Sequence, residues 1–351
     1  MMKEDHLIDF KIVAQQMRGQ LTHIAMWRKI VRLLIYSVYP LALLWLAFTI
    51  FGRYIVDAGN YETSQITATY VVIFFVAFVV LNTLFSLCLN VLKQKEEKVM
   101  GQIINQLFPD ANYSPTKEVK VSDIRASRLF GTPNRSEGTL QVASYGALSF
   151  PTQHQALTIA DIGVTATNEQ NTKPWRSFRL LCRAIFSPMW GAQVESTMFS
   201  FRGMFGYCRL PRTCRGFVML LPDHLEDKLG YFALTIQKLR ERHKAKFVYL
   251  EDPEFERLFT VYADDEVEAR MILTPAMMKK LTALRCSFTH DLMLSFSGDT
   301  FYYASNMPKG FLRLSGKTSV NEDLLLEIYQ EIGFCLSVEE MMGKHVDKQE
   351  I

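Results

Sequence analysis

LLIYSVYPLALLWLAFTIF (Leu33–Phe51) and ITATYVVIFFVAFVVLNTLFSLCLNVL (Ile66–Leu92) are two apolar runs without a single Lys, Arg, Asp or Glu. A helix needs about 20 mainly apolar residues to cross the hydrocarbon of a bilayer, and each run is long enough. The two lie only a short loop apart, which argues for a transmembrane hairpin over two core helices of a soluble protein. The first run begins well after the N-terminus and no small-residue cleavage site follows it, so it reads as an anchor and not as a cleaved signal peptide.

Charges at the flanks set the expected topology. Arg28, Lys29 and Arg32 precede the first run, and Lys93, Lys95 and Lys98 follow the second. Positive charge stays on the cytoplasmic side, so both termini are expected in the cytoplasm of a bacterial inner membrane. The expected layout is an amphipathic cytoplasmic helix over 1–32, spans over 33–52 and 68–92, and an external loop over 53–67. A helical stem over 93–110 and a cytoplasmic α+β domain over 111–351 follow. The bilayer is therefore the first partner implied.

Outside the spans, Leu7, Phe10, Ala14, Met17, Leu21, Ile24 and Val31 alternate in steps of three and four, the narrow seam of a coiled coil, with Arg28 interrupting it. Val99, Ile103 and Leu107 carry a helix on to Phe108-Pro109, where proline ends it. The seam fits either pairing with this stem or homo-oligomerisation. Further on, short apolar or alternating runs outnumber helical stretches, which are expected over Leu225–Arg242, Glu254–Phe259, Glu266–Leu273, Ala276–Leu284 and Asn321–Gly333. Ala156–Thr165, Thr197–Phe201, Gly216–Leu221, Lys246–Leu250, Phe259–Tyr262, Leu292–Ser297 and Thr300–Ala304 read as strands, the last two as a hairpin turning at Ser297-Gly298-Asp299. A mainly antiparallel sheet follows.

Seven of the 39 basic and five of the 36 acidic residues precede Lys93, leaving 32 against 31 in the remainder. Such a balance gives no reason to expect nucleic acid. Six cysteines without CxxC or metal spacing read as free thiols of a reducing compartment, with Cys208 and Cys214 the nearest pair. Seven scattered histidines, and no HExxH, GxSxG, GxxxxGK[ST] or GxGxxG, leave no catalytic signature and no cofactor motif. His290-Asp291 is a poor dyad, because neighbours in a strand point to opposite faces.

Two stretches stand out. Lys173–Arg215 holds eight basic residues and one acid; within it Arg176, Arg179 and Arg183 share a helical face beside Trp175 and Phe178. Arginine on one face with aromatics on the next suits a helix lying on anionic lipid, and suits equally a helix packed on a sheet with solvated arginines. The second is FVYLEDPEFERLFTVYADDEVEARMILTPAMMKKL, Phe247–Leu281. In it Asp252-Pro253 and Thr274-Pro275 each place a capping residue before a proline at the first helical position, and Asp265 and Glu268 have capping-box spacing. Glu251, Asp252, Asp264, Asp265 and Glu268 form an acidic cluster whose alternative use is binding a divalent cation. Glu268 and Arg270 exceed what a cap requires.

The motifs Leu250-Glu251-Asp252-Pro253-Glu254-Phe255, Val261-Tyr262 with Asp265, Glu268-Ala269-Arg270 and Leu273-Thr274-Pro275 resemble the signature of a bacterial family catalogued as domain of unknown function 3137. Weaker echoes occur at Ser127-Arg128-Leu129-Phe130 and Phe201-Arg202-Gly203. The resemblance implies paired N-terminal transmembrane helices and a cytoplasmic domain, and brings no activity with it. Two function classes follow: a membrane-tethered interaction or scaffold module with an unknown protein partner, or a membrane-tethered hydrolase or metal-dependent enzyme using the acids around Glu251–Glu268.

Overall fold

Helix α1 runs unbroken over Glu4–Val56 and α2 over Tyr61–Leu107. The computed structural model describes residues 4–56, 61–130, 138–151, 157–168, 201–210, 213–223, 245–308, 310–312, 314 and 322–346. The apolar windows within Gln15–Phe48 and Thr69–Leu107 are only 11% and 6% buried. A core helix of a soluble protein would be mostly covered; here Leu33, Leu44, Phe48 and Val76 each expose 60% or more of their surface. Two helices this long, this apolar and this exposed fit association with a bilayer.

The two helices pack against each other along one side. Ile35, Tyr39, Phe74 and Phe78 form a separate buried cluster, and Tyr39 Oη donates to Asn82 Oδ1 at 2.7 Å. A polar pair between apolar helices acts as glue worth about 0.6–1.7 kcal/mol. Nearer the sheet, Met17, Leu21 and Ile24 of the α1 seam share a cluster with Val99, Met100, Ile103 and Ile104 of α2. Arg28, where the seam breaks, finds Glu96 of α2 at 2.6 Å. The interruption is an interhelical ion pair.

The remainder is α+β. Among the described residues, nine strands, β1 (Asn112–Ser114), β2 (Gly138–Phe150), β3 (Leu157–Asn168), β4 (Phe201–Arg209), β5 (Phe217–Pro222), β6 (Lys246–Phe247), β7 (Phe259–Ala263), β8 (Leu292–Ser297) and β9 (Thr300–Asn306), make one sheet. Its order is β1-β2-β3-β4-β9-β8-β5-β7-β6, every neighbouring pair antiparallel. Helices α3 (Val121–Ala126), α4 (Pro253–Glu256), α5 (Glu266–Ile272), α6 (Pro275–Ser287) and α7 (Glu322–Val346) complete the described elements.

Alternation fills both faces. In the β8–β9 hairpin Leu292, Leu294, Phe296, Phe301 and Tyr303 enter the core beneath α7, whereas Met293, Tyr302 and Ala304 enter the opposite core with Ile124 and Phe130. Pairing Ser297↔Thr300 closes the turn on Gly298, whose φ of 62° is the left-handed value a hairpin turn requires. β2 and β1 carry no Val/Ile-rich run and were absent from the strands expected from sequence. α7 also extends well past Gly333, where the helical reading of Asn321–Gly333 stopped. The stretch expected to be helical over Leu225–Arg242 lies outside the described residues.

FRGMFG, Phe201–Gly206, is the start of β4. Gly203 has φ 156°, and a Cβ there would collide with the backbone of Ser305 and Met307 on the neighbouring strand. Gly203→Ala is expected to cost about 1–3 kcal/mol, the range for forced overpacking, because backbone cannot step aside as a side chain can. A lowered urea midpoint would register it; an unchanged midpoint would show that β9 yields.

Candidate functional site

The signature segment folds around the end of the sheet, and its polar residues are used as helix caps. Asp252, extended at φ −102°, accepts from the amides of Glu254 and Phe255, and Pro253 opens α4. Asp265 accepts from Val267 N at 2.9 Å and caps α5 through that amide, one residue short of the capping-box bond to Glu268 N. Thr274 Oγ1 accepts from Met277 N at the start of α6, with Pro275 in the first turn. Each bond satisfies an amide that a helix N-terminus leaves without an internal partner, a contribution of about 1 kcal/mol. Phe255, Phe259 and Leu273 are buried beneath them.

The acids therefore do not converge. Glu256 accepts from Leu250 N at 2.8 Å, and Asp264 Oδ1 accepts from Phe217 N at 2.8 Å. Glu251 is exposed, whereas Glu268 is 5% exposed. Arg270 reaches both Glu266 Oε1 and Tyr249 O at 2.9 Å, which ties α5 to the chain leaving β6. Among the described residues, the acids of Glu251–Glu268 include no set of three with metal-ligand proximity; His290, Glu327 and Glu331 are the set with ligand atoms close enough, within 4.8 Å of one another.

Around Arg270 the surface is apolar. Phe247 and Tyr249 meet edge to face at 4.4 Å, with 40% and 71% of their surfaces exposed. Val267 and Met271, one turn apart on α5, are 66% and 43% exposed. Two exposed apolar pairs, brought near each other where Arg270 reaches Tyr249 O and rimmed by Glu266, are what a docking patch looks like. The spacing Val267/Met271 was readable in sequence, but an exposed apolar pair cannot be told there from a buried one.

A second polar feature lies inside the sheet. Arg202 on β4 forms a bidentate pair with Asp161 on β3, Nη2 donating to Oδ2 at 2.7 Å and Nη1 to Oδ1. Arg202 Nη1 also donates to Ile162 O, and its guanidinium lies 4.0 Å from the centroid of Tyr145. Gly163 faces Arg202 across the strands and leaves room for it. The register shift between Ser144 and Ala147, with Gly146 at φ 127°, presents Tyr145. Arg202, counted in sequence with the basic stretch, is buried and paired. The same holds in part for Arg128, at φ 56° after α3: its guanidinium lies 4.4 Å from the Phe217 ring, where burial pulls it below its ordinary pKa and Asp264 opposes that pull.

The described cysteines other than Cys88 and Cys286 are buried: Cys208, Cys214 and Cys335. Burial pushes the thiols of Cys208 and Cys335 up to about 12, so neither is a nucleophile at neutral pH. Trp175, Arg176, Phe178, Arg179 and Arg183, the lipid-facing candidates, lie outside the described residues. An open hollow lined by Leu41, Leu44, Trp45, Phe48 and Phe51 belongs to the exposed apolar side of α1, away from the signature.

Among solved structures, the crystal structure of the mycobacterial trehalose monomycolate transport factor A, TtfA, aligns with 71% of this chain and 94% of that one, at 8% identity and a TM-score of 0.33. No curated protein matches the chain. A family model described as Protein of unknown function (DUF3137) matches residues 199–344, from the start of β4 almost to the end of α7, and so takes in the capped helices and the apolar patch. Over that segment the chain is similar to the DUF3137 family.

Proposed function

We propose that this protein is a membrane-anchored interaction module whose sheet domain lies in the cytosol and docks a protein partner through Phe247, Tyr249, Val267 and Met271. The observation that carries this reading is the exposure of those four side chains, 40–71%, inside a segment whose Asp252, Asp265 and Thr274 serve as helix caps. An enzyme would need convergent polar groups; here Asp252, Glu256, Asp264 and Asp265 each accept from backbone amides at separate places. Support for the cytosolic side comes from Arg28, Lys29, Arg32, Lys93, Lys95 and Lys98 at the expected inner ends of the spans. Tethering beside the membrane raises the effective concentration of any membrane-bound partner.

A photo-crosslinking residue placed at Tyr249 in native membranes tests it, with the same residue at exposed Lys279 as control. The expected result is a discrete adduct from position 249, lost when Val267→Glu puts a charge into the patch. Adduct formation at 249 no greater than at 279 would remove the patch from consideration. An adduct at twice the chain mass would identify the partner as a second copy.

A further inference from the structure

Glu327 and Glu331 stand one turn apart on α7, and His290 lies in the short connection between α6 and β8. Their ligand atoms, one imidazole nitrogen and two carboxylate oxygens, all fall within 4.8 Å of one another. Burial is graded across the group: Glu331 is 5% exposed, His290 intermediate, Glu327 exposed. We propose that His290, Glu327 and Glu331 form a binding site for a single first-row transition-metal dication, zinc fitting best, which pins α7 to the connection leading into β8.

Three considerations support this. The first is charge: two carboxylates one turn apart, one of them buried, repel each other, and a dication held between them by a neutral imidazole turns that repulsion into attraction. The second is ligand chemistry. One nitrogen and two oxygens suit zinc, and Mn²⁺, Fe²⁺ or Co²⁺ as well, whereas Ca²⁺ and Mg²⁺ favour all-oxygen shells. Metal–ligand bonds of about 2.0–2.2 Å put tetrahedral ligands about 3.3 Å apart, so the three atoms need to close by roughly 1.5 Å at most, within reach of carboxylate rotamers.

The third is that His290 is held from both sides. Arg285 Nη1 donates to Phe288 O at 3.1 Å and Nη2 to Asp291 Oδ1 at 2.8 Å, bracketing the histidine. The Phe288 ring meets His290 edge-on at 5.6 Å and itself stacks at 3.9 Å on Phe334 of α7. An imidazole fixed by its neighbours loses little freedom on ligation. Three protein ligands leave a fourth position on the Glu327 side, open to water.

The consequence is mechanical. α7 also touches the end of α2, where Tyr329 stacks on Phe108 at 5.3 Å, so the ion would fasten the helix that joins the sheet to the helical hairpin.

The test uses the tag-free full chain in detergent, stripped with chelator and titrated with Zn²⁺ by calorimetry and with Co²⁺ by visible absorption. One ion per chain is expected. Affinity should fall at least tenfold in His290→Ala and in Glu327→Gln, the latter an exposed change that spares the core, and Zn²⁺ should raise Tm in the native chain only. Absence of stoichiometric binding, or binding that both variants retain, would overturn the site.

Discussion

Arg202→Met is expected to lower the stability of the sheet domain by about 3–5 kcal/mol, because it strands a buried charge. Asp161 is fully buried and Arg202 is 4% exposed, so neither finds water when its partner goes. Against a typical domain stability of about 5–15 kcal/mol this is a large fraction, and urea unfolding followed by circular dichroism will read it. Arg202→Lys keeps the charge but loses the two-pronged geometry and the stacking on Tyr145, so it should recover only part of the loss. The informative variant is the pair Asp161→Leu with Arg202→Met. If the ion pair serves only to compensate itself, the apolar pair should restore stability to near the native value or above it. If the double change is as damaging as the single one, the pair is fixing strand register between β3 and β4 through its bond to Ile162 O.

What could be read from sequence depended on how local the physical cause was. The spans follow from a run of residues free of charge, and the caps follow from Asp252-Pro253 and Thr274-Pro275, signals complete within a few positions. The hairpin at Gly298 was legible for the same reason. β2 was not: GTLQVASYGALSF is rich in small and polar residues, and its bulge at Tyr145-Gly146 breaks the alternation that marks a strand. Non-local partners were hidden altogether. Arg202 looks like one more base in a basic stretch until the sheet sets Asp161 beside it, 41 positions earlier in the chain. His290 is likewise an isolated histidine, and Glu327 and Glu331 an ordinary helical pair, until α7 folds over the end of α6. Exposure is a property of the assembled surface, so the patch of Tyr249 and Val267 had no signal in sequence beyond its helical spacing.

Alkaline pH should destabilise the fold progressively between about pH 9 and 12, and the buried thiols give the sign. Cys208 and Cys335 ionise near 9 in an unfolded chain and are pushed up to about 12 in the fold, burial being the main cause and nearby Glu339 and Glu331 adding to it. Below pH 9 both states hold the protons and the thiols contribute no pH dependence. Above it the unfolded chain releases protons that the folded chain retains, so stability falls by about 1.4 kcal/mol per pH unit for each thiol and levels off only above 12. Tyr303, wholly buried beside Cys335 and raised well above its ordinary value, adds to the same slope above pH 10. Urea midpoints measured in steps across this window should therefore drop steeply, and Cys208→Ala with Cys335→Ala should flatten the part between pH 9 and 10, where tyrosine contributes little. A profile that stays flat in the native chain would mean that these thiols meet water, and with it that α7 does not seal the core over β4 and β9. In the folded chain at neutral pH, exposed Cys286 should react with a thiol reagent while Cys208 and Cys335 stay protected.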